Sequence, residues 1–358
     1  MRRLGIALAA VCFIALSPGA LAQDLVYRVK NGDNIWSLCH GFSNYKNCWL
    51  QLGDYNDLPN DDMLEPGSRL RIPIHWLRIV PEVGEALTVS GEVTYKPYAG
   101  PAVPLKAGKA LTLGATLTSG EGNASIRLGD HGVILLRPNS VLELDSMTVG
   151  GGDEPSSELV LPSGDIEVEV KPEARSRFEV HTPAAVAAVR GTRYRVSATG
   201  TDSMRSEVTA GLVAITANST VDVPAGFGVQ ARTGQAVEAP RELLAAPAVD
   251  KASLHAPLPV SVRWAQQPGA VRWQLDLFES GEDGKLLLTR QIDQPQWQLD
   301  NLEQSCYRLR LRAIDADGFN GLDTEEQLCV LAPAPVEPEP NAYRELGIWS
   351  ILTALIFL

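Results

Sequence analysis

Phe178-Glu179-Val180-His181-Thr182-Pro183-Ala184-Ala185-Val186-Ala187-Ala188-Val189-Arg190-Gly191-Thr192-Arg193-Tyr194-Arg195-Val196 is the stretch from which the fold is read. Its ends, residues 178–182 and 193–196, alternate apolar and polar side chains, the period of a strand with one buried face. Between them Gly191 permits a tight turn and Arg190 can pair with a carboxylate inside the domain, a structural role. No Gly-rich loop follows a strand and opens a helix here, so a phosphate cradle is not indicated. Working outward, residues 87–95, 124–128, 132–136, 141–144, 166–170 and 211–215 repeat the pattern between Gly-containing turns. Regular short strands of this kind predict an all-β sandwich or roll over residues 80–240.

The same region resembles a FecR-type domain. The resemblance rests on G-x-V-T at 91–94, L-x-x-G-x-x-L-x-x-G at 105–114, T-S-G-E-G-N-A-S-I-R-L at 118–128, R-P-N-S-x-L-E-L at 137–144, L-P-S-G-D-I at 161–166, the stretch 178–196, V-T-A-G-L-V-A-I at 208–215 and P-A-G at 224–226. It implies a periplasmic β-domain for interaction or sensing. In the namesake regulators a cytoplasmic anti-sigma segment and a membrane span precede that domain; different sequence stands there in this chain, so their mechanism is not carried over.

Residues 1–22 read as a secretory signal peptide: Arg2-Arg3, an apolar run from Leu4 to Leu16, and Ala20-Leu21-Ala22 before Gln23, with cleavage expected between Ala22 and Gln23. Cleavage removes two arginines and no acid, taking the net charge from −12 to about −14. A balance of 31 basic against 43 acidic residues argues against a nucleic-acid footprint. Of the 5 cysteines, Cys12 leaves with the signal peptide. An even number then remains in an exported chain, and Cys39 with Cys48 and Cys306 with Cys329 are read as local disulfides. Zinc is disfavoured because the spacing is not C-x-x-C.

Residues 24–76 predict strand, helix, helix, strand, with Asp33 or Asn34 as an N-cap. This module resembles a LysM domain through Y-x-V-x-x-G-D-N-I-W at 27–36, N-D-L at 56–58 and L-x-P-G-S-x-L-x-I-P at 64–73; Asn34 departs from the usual Thr. The resemblance implies binding of peptidoglycan or another N-acetylglucosamine-containing glycan in a shallow groove between two loops. Carried over, the glycan-binding residues are Gly32, Asp33, Asn34 and Ile35, with Asp57, Leu58, Pro59, Asn60 and Met63. The chemistry agrees, since Asn34, Asn56 and Asn60 can donate and accept toward acetamido groups. The competing reading is that Gly32, Asp33 and Pro59 only shape turns and caps.

Residues 241–257, rich in Ala and Pro, read as a linker, and residues 258–332 as a further set of strands. Y-x-L-x-L-R-A-x-D-x-D-G-x-x-G at 307–321, with Leu302 and Tyr307 at tyrosine-corner spacing, resembles a fibronectin type III domain. Trp264, Trp273 and Trp297 read as core, and Asp315 with Asp317 supplies too few oxygens for calcium. A Pro/Glu-rich linker, 333–343, leads to a short apolar segment, 344–358. Its run Leu346–Leu358 is too short to span a membrane alone and is read as contacting a membrane or a partner.

The expectation is a multidomain, mainly β protein: a small βααβ LysM-like module, an all-β FecR-like sandwich or roll, and a fibronectin type III-like β-sandwich. No H-E-x-x-H or G-x-S-x-G occurs, and His40, His75, His131, His181 and His255 are scattered. No catalytic residue, cofactor or metal is expected. The functional reading is a periplasmic, wall-associated, peptidoglycan-binding scaffold or sensor with an envelope protein partner. Its alternatives are an envelope protein without glycan affinity and a peptidoglycan hydrolase with an unrecognised carboxylate pair.

Overall fold

The computed structural model describes residues 24–29, 32–58, 64–78, 82–129, 132–150, 156–170, 177–189, 191–281 and 284–333. The segment expected to be a signal peptide, Pro59, Asn60, Met63, Arg190 and the terminal apolar segment lie outside them. The protein is mainly β, with a small helical N-terminal module.

In that module the strands Asp24–Arg28 and Arg69–Pro73 pair antiparallel. The helices Ile35–Phe42 and Cys48–Tyr55 cover them, joined by the Cys39–Cys48 disulfide. Leu25, Tyr27, Ile35, Leu38, Leu52, Leu70 and Ile72 form its core. Asp24–Arg28 also pairs in parallel with the far end of Val141–Gly150, which hydrogen-bonds the module to the next unit.

That unit is two broad sheets face to face. The outer one runs from Val103–Pro104 through Val93–Lys96, Thr116–Ser119 and Val141–Gly150 to the start of Ser156–Val170. It continues through Arg177–His181, Val186–Val189 and Leu212–Thr216 to Thr220–Pro224. The inner one takes the other half of Ser156–Val170, flanked by Gly132–Leu136 and Arg193–Thr199. Beyond Arg193–Thr199 come Ser203–Ala210, Phe227–Arg232 and Arg241–Glu242. One strand therefore belongs to both sheets. Its alternation divides the work: Ile166, Val168 and Val170 are buried in the core between the sheets, while Glu167 and Glu169 stand on the opposite face.

The third unit packs a five-stranded sheet against a two-stranded one. Trp264 and Trp273 meet edge-on, 6.0 Å apart, in its core. The Cys306–Cys329 disulfide ties neighbouring strands. The Tyr307 hydroxyl donates to the Glu303 carbonyl at 3.0 Å.

Residues 241–257 are not a free linker. Leu243 and Leu254 are buried, Arg241–Glu242 extends the inner sheet, and His255–Pro257 pairs in parallel with Thr324–Leu331. Composition suggested a spacer; the apolar leucines among the Ala and Pro residues supply the packing. Among the described residues no helix is long and apolar enough to cross a membrane.

Candidate functional site

The loop before Ile35–Phe42 has a defined local cause. Gly32 sits at φ +89°, a turn that a Cβ would strain. Asn34, not Asp33, is the N-cap: its Oδ1 accepts from Ser37 N–H at 2.8 Å, and Ser37 Oγ accepts from Asn34 N–H at 3.3 Å. Asp33 accepts instead from the Tyr27 hydroxyl at 2.8 Å. Burial and Asp33 together push the Tyr27 hydroxyl up to about 12. Ile35 is buried, so it can contribute only backbone to any ligand. Gly32 and Asn34 are exposed.

In the second loop Asp57 is exposed and has a left-handed backbone, φ +55°. Leu58 is half-buried against the core. Asn56 is committed internally: its Nδ2 donates to the Leu52 and Arg71 carbonyls, and its Oδ1 accepts from Arg71 N–H at 2.7 Å. It stitches helix to strand and has no amide left for a sugar.

The sequence reading missed two features. The first is an aromatic surface on the helices: Trp36 is 63% exposed and stacks on His40, and Trp49 and Leu50 are about half exposed. The second is a charged seam where the inner sheet meets the five-stranded sheet. Arg308, Arg310 and Arg312 alternate with Leu309 and Leu311, so the leucines face the core and the arginines face the inner sheet. Arg310 reaches Glu167 at 2.7 Å, and Arg312 reaches Glu167, Asp276 and Asp323 at 2.8, 3.2 and 3.2 Å. Arg137 joins from the inner side and Arg195 pairs with Asp323. Asp276 is fully buried and Arg312 nearly so. The arginines hold the Glu167, Asp276 and Asp323 carboxyls below their ordinary range against the burial that would raise them. Buried pairs of this kind add little net stability over apolar packing, but removing one partner costs about 3–5 kcal/mol.

The Asp315–Asp317 pair is occupied by the chain itself. Asp315 Oδ1 accepts from the Asp317 and Phe319 N–H groups, and Arg241 pairs with both carboxylates.

Two family models match separate stretches of the chain. Residues 27–73 match the LysM domain family and residues 115–214 match the FecR protein family. Both are binding or signalling modules, and no enzyme family is indicated. Among solved structures, the chain is similar to a candidate anti-sigma factor from Parabacteroides distasonis, at 20% identity and TM-score 0.30, over 35% of this chain and 57% of that one. It is also similar to the extracellular domain of a candidate one-component system from B. thetaiotaomicron, at 11% identity and TM-score 0.17, over 63% of this chain and 37% of that one. The chain thus spans little more than half the length of the first of these. No curated protein matches it.

Proposed function

We propose that the protein is a non-catalytic, wall-associated scaffold or sensor of the bacterial periplasm. Its N-terminal module holds peptidoglycan, or another N-acetylglucosamine glycan, between the loops at Gly32–Ile35 and Asp57–Met63. The β-units carry the contact with an envelope protein, and the third of them is a fibronectin type III-like module. One observation supports the glycan reading most directly. Asn34 uses its Oδ1 as the helix cap, while its Nδ2 makes no hydrogen bond among the described residues and stands on an exposed loop. An acetamido carbonyl is a fitting acceptor for such a donor.

The test is cosedimentation of the purified chain with isolated sacculi, beside Asn34→Asp and Leu58→Ala/Asn60→Ala. Asn34→Asp keeps the cap acceptor and replaces the donor, so lost binding cannot be ascribed to a lost cap. Pelleting of the unmodified chain and at least a fivefold loss in the variants is expected. A chain that stays in the supernatant sinks the tether. The reading then passes to an envelope protein working through protein contacts, which the exposed Trp36, Trp49 and Leu50 favour. Release of muropeptides would instead mark a hydrolase.

A further inference from the structure

Between the inner sheet and the five-stranded sheet lies a cavity of about 270 Å³, walled in part by Arg137, Arg195, Arg205, Arg272 and Arg312. Three of these are already matched to carboxylates. Arg137 has Asp276 and Glu167, Arg195 has Asp323, and Arg312 has Glu167, Asp276 and Asp323. Among the described residues the other two form no ion pair, and Arg272 donates only to Gln291 Oε1, at 3.3 Å. Arg205 Nε is buried without a hydrogen-bond partner.

The register explains the surplus. One row across the inner sheet runs Glu167, Arg195, Glu207, with signs alternating. In the row beside it Asp165, Ser197 and Arg205 stand in line, so Arg205 faces a serine, and the row's carboxylate, also on the cavity wall, lies two strands away. Glu207, on the same face, feels the charge of Arg205 but makes no hydrogen bond to it: its Oε1 accepts from the Asn320 N–H at 3.1 Å. Arg272 is exposed, which gives a solute a way in, and Arg205 is half-buried deeper in the wall.

We propose that this cavity binds a small oxyanion, the phosphate or carboxylate of a small solute, between the guanidinium forks of Arg205 and Arg272. Each planar fork presents two N–H donors at the spacing of two oxygens on one phosphate or carboxylate. The site is independent of the glycan loops, so either reading can fail alone.

The test is calorimetric titration of the purified full chain with inorganic phosphate and, separately, with sodium acetate, at ionic strength matched with chloride. One saturable site for at least one anion is expected. Arg205→Gln weakens it at least tenfold and Arg272→Gln at least threefold; Arg263→Gln, an exposed arginine paired with Asp250 outside the cavity, leaves it unchanged. Arg272 is exposed, so its variant decides the matter even if Arg205→Gln fails to fold. Response to phosphate alone assigns a phosphate ligand, and response to acetate alone a carboxylate. No saturable binding of either anion, or binding unchanged in Arg272→Gln, overturns the proposal.

Discussion

Arg137 grips Asp276 with both arms of its guanidinium: Nη1 to Oδ2 and Nη2 to Oδ1 are each 2.8 Å. The two residues lie in different structural units, 139 positions apart in the chain. The pair is buried, and the second N–H of each arm of Arg137 goes to Glu167 and to Thr289. This geometry makes the seam between units specific, and it can be broken from either side.

Asp276→Asn leaves Arg137, Arg310 and Arg312 buried with one negative charge fewer. A loss of about 3 kcal/mol is expected in urea unfolding. Combined with Arg137→Gln in a double-mutant cycle, the pair should show a coupling above about 1 kcal/mol. Additive effects would mean that the contact carries no coupling.

The seam should also be acid-sensitive. The folded-state pKa values of Glu167, Asp276 and Asp323 lie below their unfolded values. Their contribution is therefore complete above about pH 4.5 and is lost as pH falls through the depressed values. Melting temperature followed from pH 7 to pH 3 should drop steeply below about pH 4, and Asp276→Asn should flatten that drop.

Asp145 behaves in the opposite sense. Burial, with Glu158, Glu143 and Asp24 nearby and His181 acting against them, raises it to about 6. A raised carboxyl favours folding most below its unfolded pKa, and that benefit is lost as pH rises through about 6. Asp145→Asn is expected to stabilise the chain by about 1 kcal/mol at pH 7, discounted for partial exposure, and by almost nothing at pH 4. Thermal melts of both proteins at the two pH values check the sign.

Cys306 and Cys329 close a loop with sequence separation 23. Replacing both with Ser should cost about 3 kcal/mol, by the entropy returned to the unfolded chain. Unfolding of the double variant, beside reduction of the unmodified protein, gives the number.

Much of the fold was legible because strands announce themselves by period two. The alternation at 166–170, 178–182 and 307–313 predicts which side chains turn inward, and Ile166, Val180 and Leu309 do so. The same alternation cannot say what covers the outer face. Arg-Leu-Arg-Leu-Arg at 308–312 reads as half solvated, yet Arg312 is 3% exposed because another sheet lies over it. Local chemistry was ambiguous too. Asn34 and Asn56 have the same amide, but one caps a helix from an exposed loop and the other is spent bridging Leu52 and Arg71. Asn34 finds its partner three residues on, in Ser37, which the sequence can offer as a cap; Asn56 finds Arg71 only through the packing of helix against strand.

The strand Ser156–Val170 has a mechanical meaning. Tension applied at the N-terminal module enters through the pairing of Asp24–Arg28 with Val141–Gly150 and passes to this strand. The strand crosses from one sheet to the other and carries Glu167, which the arginines of the third unit hold. The three units are thus joined in series by laterally bonded backbone and a charged clasp, so a pull on one reaches the next through these contacts.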